Sequence, residues 1–161
     1  MENDQLKTQH LKPNKVLKKF LQHGPISPQF IADSISKHSS KTNIGAHTIF
    51  LGQVRKDKIE TNEVQAIEYS AYEEMAEQEI HKLREEAISK YQLSCLHIHH
   101  SLGNVNAGEI SLFVFVSAPH RTNVFTACSD VVEQIKNKVP IWGKEILANG
   151  THIWKTNKTN G

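Results

Sequence analysis

Residues 117–145, SAPHRTNVFTACSDVVEQIKNKVPIWGKE, carry the strongest structural signal in this chain. After Phe125 its apolar residues recur mainly at steps of three and four, the spacing of one face of an α-helix. Those residues are Cys128, Val131, Val132 and Ile135. Thr122 or Asn123 can cap the start of this helix, and Val139 should end it because proline follows. The stretch therefore predicts a short helix with a defined stop.

Cationic and titratable side chains flank this predicted helix. Lys136 falls in its last turn, about a quarter turn from the centre of the apolar face. His120 and Arg121 precede the helix and follow the apolar run 110–116, which has the length and composition of a strand. Lys144 comes soon after the helix ends. The charged residues His120 and Arg121 therefore connect the end of a predicted strand to the start of the predicted helix.

These side chains, with Arg55 from the end of another predicted strand, would form a cationic pocket. Such a pocket holds a phosphate or carboxylate, with arginine as a planar fork and lysine as a point charge. A lysine can also act as a nucleophile or general acid when like charges lower its pKa from about 10.4. Taken singly, each residue is more typical of a solvated surface charge, and only the combination indicates a site.

The rest of the chain alternates strand and helix patterns. The predicted elements are an edge strand over 16–21, a helix opening at Ser27-Pro28, strands over 45–55 and 64–72, a long helix from Glu73, strands over 93–100 and 110–116, the helix described above, and a final hairpin that turns at Asn149-Gly150. Residues 56–63 read as a mobile charged loop. The turn over 102–109 is too short for a crossover, so its two strands should pair antiparallel. The sequence predicts an α+β fold with mainly antiparallel sheets and packed helices.

Length and composition limit the class of protein. The 161 residues suit one domain, predicted over 15–155, with a flexible N-terminal tail over 1–14 and a frayed C-terminus over 156–161. A net charge of +2 is too small for a nucleic-acid binder, and no apolar run is long enough to span a membrane. Cys95 and Cys128 have no metal-ligand spacing, and a reduced pair in the cytoplasm is expected.

Other sites find less support in the sequence. His97 and His99 would share one strand face and invite a metal interpretation together with His100, but no carboxylate or cysteine cluster at ligand spacing accompanies them. We therefore expect no metal and no cofactor. Glycine-rich phosphate loops and the Gly-x-Ser-x-Gly elbow of hydrolases are missing from the sequence.

Several motifs, taken in order, resemble the large, catalytic subunit of molybdopterin synthase over about residues 25–155. They are Gly45-Ala46 through Phe50, Gly52, Val54-Arg55, residues 67–76 (IEYSAYEEMA), His100-Ser101-Leu102-Gly103 with Gly108-Glu109, His120-Arg121, Lys136, residues 140–145 (PIWGKE) and Trp154. The resemblance implies an α/β hammerhead fold and a homodimer with a small ubiquitin-like sulfur-carrier subunit at each end. Its implied reaction is a sulfur transfer, in which the C-terminal thiocarboxylate of the carrier converts cyclic pyranopterin monophosphate to molybdopterin.

The resemblance also implies roles for individual residues. Lys136 is similar to the catalytic lysine of the family, and Arg55, His120 and Arg121 to its anion-binding and positioning residues. Many relatives carry a second lysine where this chain has Gly143, and Lys144 is a candidate to take its place because glycine relaxes the local backbone.

A second departure from the family is Ser101, which stands where an arginine is usual, so that His99 or His100 could supply a phosphate contact instead. Because of Gly143, a catalytically weakened homologue that serves as a dimeric, carrier-binding scaffold is an alternative. A generic anion-binding or nucleotide-binding α+β domain is a third.

Overall fold

The protein, described by a computed structural model over residues 19–156, contains three helices and eight strands in that range. The strands are β1 (Leu21–His23), β2 (Ala46–Gln53), β3 (Lys58–Ile59), β4 (Asn62–Ala71), β5 (Cys95–Asn106), β6 (Ile110–Ala118), β7 (Ile141–Leu147) and β8 (His152–Trp154). The helices are α1 (Pro28–His38), α2 (Glu73–Tyr91) and α3 (Val124–Lys138). The predicted alternation of strands and helices is confirmed.

The strands form one continuous sheet in the order β2-β6-β5-β4-β7-β8, with β1 added to β5 and β3 to β4. Every pair is antiparallel except β1 with β5. The long strand β5 joins the two halves of the sheet: its first half pairs with β6 and its second half pairs with β4. The α+β class with mainly antiparallel pairing is therefore confirmed.

Strand β6 is buried on both faces, which explains its continuous apolar run. On one face, Leu112, Val114 and Val116 join the main core beneath α2 and α3. On the opposite face, Phe113 and Phe115 pack with residues from α1 and the segment before it. We call these the inner and outer faces of the sheet. The two faces therefore pack against different helices, the inner face against α2 and α3 and the outer face against α1.

Helix α3 differs from its predicted form in one detail at its start. Phe125 is 67% exposed, and the buried face begins instead at Val124. Asn123 is the first cap residue, and Val139 ends the helix in an extended conformation before the proline, as predicted.

Two loop predictions are wrong in part. Strand β5 continues through residues 102–106, which were expected to turn, so the actual turn is shorter and lies at 107–109. The glycine at 103, a turn signal in sequence, instead adopts a positive φ within the strand. Residues 58–59 form strand β3 inside the segment expected to be a mobile loop.

Some predictions fall outside the described residues. The N-terminal tail over 1–14, most of the edge strand over 16–21 and nearly all of the C-terminal segment over 156–161 belong to this group. In the described part, β1 begins only at Leu21. Of the helices described, none combines the length and apolar character that a membrane crossing requires.

Candidate active site

A cleft of about 320 Å³ lies at the C-terminal end of α3, between that helix and strands from the middle of the sheet. Its lining combines apolar, hydroxyl, imidazole and ammonium groups. The lining residues are Gly52, Tyr69, His100, Ser111, Leu112, Ile135, Lys136, Asn137, Val139, Ile141, Trp142, Gly143 and Lys155. A cleft of this size is within the range of small-molecule sites.

The reversal of the chain after α3 builds this cleft. Pro140 prevents the helix from continuing, and the chain runs directly into β7, whose Gly143 pairs with Tyr69 of β4. Side chains alternate along a strand, so Gly143 faces the cleft whereas Lys144 faces the other side. The proline and the strand register thus set which residues of the 140–145 motif reach the cleft.

Lys136 lies at the rim of the cleft and is exposed, although its side chain lines the cleft wall. Burial of its ammonium against the cleft wall lowers its pKa, and the nearby Lys155 ammonium lowers the pKa further. The carboxylate of Glu133 acts in the opposite direction. Lys136 is therefore a stronger proton donor than an isolated lysine, which is the property expected of a general acid.

Lys155 is a cleft residue that no motif in the sequence marks. It follows β8, and its backbone N–H donates to the carbonyl oxygen of Gly143 at 2.8 Å. A Cβ built on Gly143 would lie 3.7 Å from the Cβ of Lys155. The side chain of Lys155 thus leaves the backbone beside the position where many relatives were expected to carry their second lysine.

The floor of the cleft is neutral and hydrogen-bonded. Tyr69 donates through its hydroxyl to Ser111 Oγ at 3.1 Å, and Ser111 Oγ donates to the Gly52 carbonyl oxygen at 3.4 Å. Burial raises the pKa of Tyr69, opposed by its hydrogen bond to Ser111 and aided by Glu145. The phenol therefore stays protonated at neutral pH.

His100 is a buried part of the same floor. Burial lowers its pKa to about 4; the hydrogen bond to the Ser101 carbonyl oxygen partly offsets this, and the Lys136 charge adds to it. Its Nδ1–H donates to that carbonyl at 2.8 Å, because a carbonyl oxygen can only accept. The lone pair on Nε2 is therefore left as an acceptor in a neutral imidazole. Ser101, one residue on, is fully buried.

The other predicted site residues lie elsewhere. Lys144 forms an ion pair with Glu68 at 3.2 Å, and its ammonium lies 5.9 Å from the ring centroid of Trp154. Arg55 is 77% exposed beyond the end of β2 and pairs with Asp57 at 3.1 Å. In residues 19–156, neither of these cations contributes to the lining of the cleft.

His120 and Arg121 lie at the opposite end of α3 from Lys136. Both are exposed in the turn between β6 and the helix. Helix α3 has 15 residues and is therefore about 22 Å long at 1.5 Å per residue. Within one chain the helix separates these residues from the cleft, so the single pocket expected from the sequence divides into two cationic sites.

The turn that carries His120 is held tightly against the start of β2. The Gly45 N–H donates to the carbonyl oxygen of Ala118 at 3.1 Å, and a Cβ on Gly45 would overlap the carbonyl oxygen of Pro119. Only glycine fits such an approach without displacing the turn. Gly45 therefore fixes the position of the exposed His120-Arg121 pair.

The fold and the cleft together define a class of protein. This is an α+β protein that presents an activated lysine and a second ammonium beside a hydrogen-bonded neutral floor, a combination suited to an anionic small molecule and to proton transfer.

Comparisons with known proteins identify the family. The model of the family described as MoaE protein matches residues 21–138. The molybdopterin synthase catalytic subunit of Thermoplasma volcanium is 40% identical over 114 residues, which are 71% of this chain and 82% of that protein. Its counterpart in Pyrococcus abyssi is 36% identical over 111 residues, or 69% and 74% of the two chains. The chain belongs to the MoaE family.

Solved structures agree with this assignment. Molybdopterin synthase from Staphylococcus aureus superposes with a TM-score of 0.75 at 28% identity, covering 86% of this chain and 98% of that one. A complex of subunits 1 and 2 of molybdopterin-converting factor from Helicobacter pylori gives a TM-score of 0.72 at 22% identity, with 86% and 90% covered, which supports the fold alone. The predicted family, enzyme class and fold class are confirmed.

Proposed function

We propose that this chain transfers sulfur from the C-terminal thiocarboxylate of a small ubiquitin-like carrier subunit to cyclic pyranopterin monophosphate, forming the dithiolene of molybdopterin. The observation that carries the proposal is the pair of ammonium groups, Lys136 and Lys155, on one small cleft in a member of this family. Sequence identity to curated catalytic subunits supports the same reaction.

The electrostatic demand of this reaction fits the cleft. The precursor carries a phosphate and the carrier ends in an anionic thiocarboxylate, so the two reactants repel each other unless fixed cations lie between them. In our proposal Lys155 provides such a cation. Lys136 gives a proton to the oxygen that leaves the precursor when the carrier sulfur bonds to carbon. The neutral floor formed by Tyr69 and His100 positions the precursor through hydrogen bonds.

The proposal includes a homodimer in which His120 and Arg121 of one copy serve the cleft of the other. Two observations support it: the length of α3 keeps these residues away from Lys136 of their own chain, and both are exposed for contact with a second copy. We propose Arg55, which is also exposed, as a further contact for the anionic reactants. The carrier partner is supported by the Helicobacter pylori complex of two subunits, which has the same fold.

A cytoplasmic location is part of the same proposal. Both cysteines are buried and unbridged, which suits a reducing compartment.

The alternative function, a scaffold that binds the carrier without turnover, depends on the absence of a lysine at residue 143. Lys155 argues against it, because its backbone lies against Gly143 and its ammonium acts on Lys136. The active enzyme is therefore the function that the geometry supports best.

The experiment that tests the function is dithiolene formation from purified chain, precursor and thiocarboxylated carrier. The wild type should convert the precursor, and Lys136→Ala should lower kcat by about 10²-fold to 10⁴-fold, the usual contribution of a positioned proton donor. Lys138→Ala is the matched control, since Lys138 is an exposed lysine in the same helical turn and bonds only to Gln134 in the described residues. An inactive wild type would favour the scaffold, and an active Lys136→Ala variant would refute the assignment of Lys136.

A further inference from the structure

The outer face of the sheet, where α1 ends, carries a cluster of metal-ligating side chains unrelated to the cleft. His38 is the last residue of α1, and Cys95 and His97 are alternate residues at the start of β5. One potential ligand atom from each residue lies within 4.8 Å of the other two. We call these three residues the His-Cys cluster. His38 and Cys95 are buried, and His97 is partly buried.

The distances in the cluster are close to those of a metal site. His38 Nε2 lies 3.1 Å from Cys95 Sγ and 3.1 Å from His97 Nε2. Tetrahedral coordination of zinc, with bonds of about 2.0 Å to nitrogen and 2.3 Å to sulfur, separates neighbouring ligand atoms by roughly 3.3–3.6 Å. An ion therefore needs an opening of a few tenths of an ångström around His38. It also needs a rotation that brings Cys95 and His97 together, because the ligand atoms of the cluster lie up to 4.8 Å apart.

The tautomer of His38 is already the one that a metal requires. Its Nδ1 lies 2.7 Å from the carbonyl oxygen of Ser34, which can only accept, so Nδ1 carries the proton. The lone pair of Nε2 is thereby directed at Cys95 and His97. A metal-binding histidine usually has this arrangement, in which its other nitrogen donates to a carbonyl or carboxylate.

Hydrogen bonds among these three side chains cannot satisfy both neighbours of His38 Nε2. A neutral imidazole offers one lone pair at Nε2, yet the Cys95 thiol and His97 Nε2 both lie within 3.1 Å of it. Whichever tautomer His97 takes, this single lone pair can accept from only one of the two neighbours in a largely buried place. A cation in the middle would engage all three groups at once.

His47 lies next to the cluster and is a candidate for the fourth ligand. It lies on β2, two strands away from Cys95, and its ring centroid is 5.8 Å from that of His38. Its Nδ1 is 2.7 Å from Ser117 Oγ, which fixes the ring and leaves Nε2 available. His47 itself is exposed. The ring of Phe115 packs against both imidazoles and provides an apolar wall.

We propose that the His-Cys cluster binds a zinc ion through His38 Nε2, Cys95 Sγ and His97 Nε2, with His47 or water as the fourth ligand. Zinc is the cation that best matches one thiolate and two or three imidazoles in tetrahedral geometry. Binding releases the Cys95 thiol proton to solvent and involves no change of oxidation state. The ion would join the C-terminal end of α1 to β5, two elements that also meet through the ring contact of Phe30 with His99.

The test uses the full chain without an affinity tag, titrated with Co²⁺ as a spectroscopic substitute and then with Zn²⁺ as competitor. We expect about one equivalent of Co²⁺ per chain with a thiolate-to-cobalt charge-transfer band, lost when Zn²⁺ displaces it. Cys95→Ser should abolish the band and weaken Zn²⁺ binding at least about 100-fold, more than the loss of a residue that only orients a ligand.

Matched variants keep the test decisive. Cys128→Ser changes the other buried cysteine, which lies on the inner face, and should leave the band and the affinity unchanged. His97→Gln affects a partly exposed ligand and should weaken binding even if a change at the buried Cys95 disturbs folding, which circular dichroism of the metal-free variants would show. Zinc should also raise the Tm of the wild type but not that of Cys95→Ser.

The proposal is overturned if the wild type gives no thiolate band, or if Cys95→Ser and His97→Gln bind Zn²⁺ as tightly as the wild type. Either result would mean that the cluster is only a hydrogen-bonded group. These measurements do not depend on sulfur transfer, because the cluster and the cleft share no residue. Both use β5, but Cys95 and His97 lie at alternate positions of opposite parity to His100 and therefore face the other side of the sheet.

Discussion

The two ends of helix α3 carry similar charges in different surroundings. At the C-terminal end, Lys136 lies on a walled cleft with a second ammonium and a neutral floor. At the N-terminal end, His120 and Arg121 are exposed on a turn. The first end has the depth and the altered pKa that a catalytic site requires, whereas the second end has charge alone.

Cationic residues that are close in sequence need not share a site. A helix of 15 residues separates its ends by about 22 Å, so the two groups can act on one small substrate only if they come from different chains. Each end therefore predicts a different response to mutation.

The largest effect is expected from mixing two inactive variants. Arg121→Ala and Lys136→Ala should each lower dithiolene formation by about 100-fold or more, since each removes a charge that the transition state requires. If the two ends of α3 meet across a dimer, a hybrid of the two variants contains one intact cleft. Subunit exchange at equal amounts should then restore about a quarter of wild-type activity, because half of the dimers are hybrids with one working site in two.

The control for this experiment mixes Lys136→Ala with Lys155→Ala, which alter the same cleft. Their mixture should show only the average activity of the two parents. If the Arg121→Ala mixture also stays at the parental average while native mass spectrometry detects hybrids, both ends of α3 would have to act within one chain.

The second prediction concerns the stability of the folded protein in acid, which depends on His100 in the cleft at the C-terminal end of α3. His100 is neutral in the folded protein down to pH about 4, whereas in the unfolded chain it takes up a proton below its ordinary pKa of 6.5. The unfolded state therefore binds more protons between these values, and the free energy of unfolding should fall as pH drops from 6.5 towards 4. The full loss attributable to His100 is about 3 kcal/mol at most.

Urea unfolding at pH 4, 5 and 7 measures this loss. His100→Gln should reduce the pH dependence, whereas His152→Gln, on exposed strand β8, should leave it unchanged. An identical pH slope in His100→Gln and wild type would show that His100 is not the group responsible.

The third prediction is a loss of roughly tenfold in kcat/KM for Lys155→Ala, because one of the two cations that hold the anionic reactants is removed. The variant should also change the pH profile. Lys155 lowers the pKa of Lys136, so removing it should raise that pKa and move the alkaline decline of kcat to higher pH. A profile unchanged from wild type would indicate that the two ammonium groups do not interact.

A double variant sharpens this result. In Gly143→Lys/Lys155→Ala the ammonium moves to residue 143, where the new Cβ would lie 3.0 Å from Ile67 Cγ2. The neighbouring side chain must yield slightly, so part of the lost activity, not all of it, should return.

The smallest effect is expected from Lys144→Ala. Lys144 faces away from the cleft and pairs with the half-exposed Glu68, and such a pair contributes at most about 1 kcal/mol to stability. Dithiolene formation should therefore stay within about twofold of wild type. A loss as large as that of Lys155→Ala would restore Lys144 as the replacement for the missing lysine.

Much of the fold was predictable because its signals are local. The spacing of Ala76, Ile80 and Leu83 defines α2, and the proline after Val139 ends α3. The extension of β5 beyond Gly103 was not predictable, since a glycine with positive φ usually marks a turn and only pairing with β4 keeps this one in a strand. Tertiary pairing overrode the local signal there.

The candidate site was predictable only where a residue lies on a motif or on a clear helical pattern. Lys136 could be identified from its place on α3, but Lys155 carries no motif and reaches the cleft because β8 pairs with β7. The same limit applies to the His-Cys cluster: His38 is 57 residues from Cys95 and 59 from His97, so no spacing rule could join them.

The tight contact between Gly45 and the Pro119 carbonyl predicts which mutant alleles complement each other. Gly45 has no side chain to take part in chemistry, yet an alanine there would displace the turn that holds His120 and Arg121. In the proposed dimer the damage would appear in the neighbouring subunit. An allele encoding Gly45→Ala should therefore complement one encoding Lys136→Ala in a cell that carries both, and it should fail to complement one encoding Arg121→Ala.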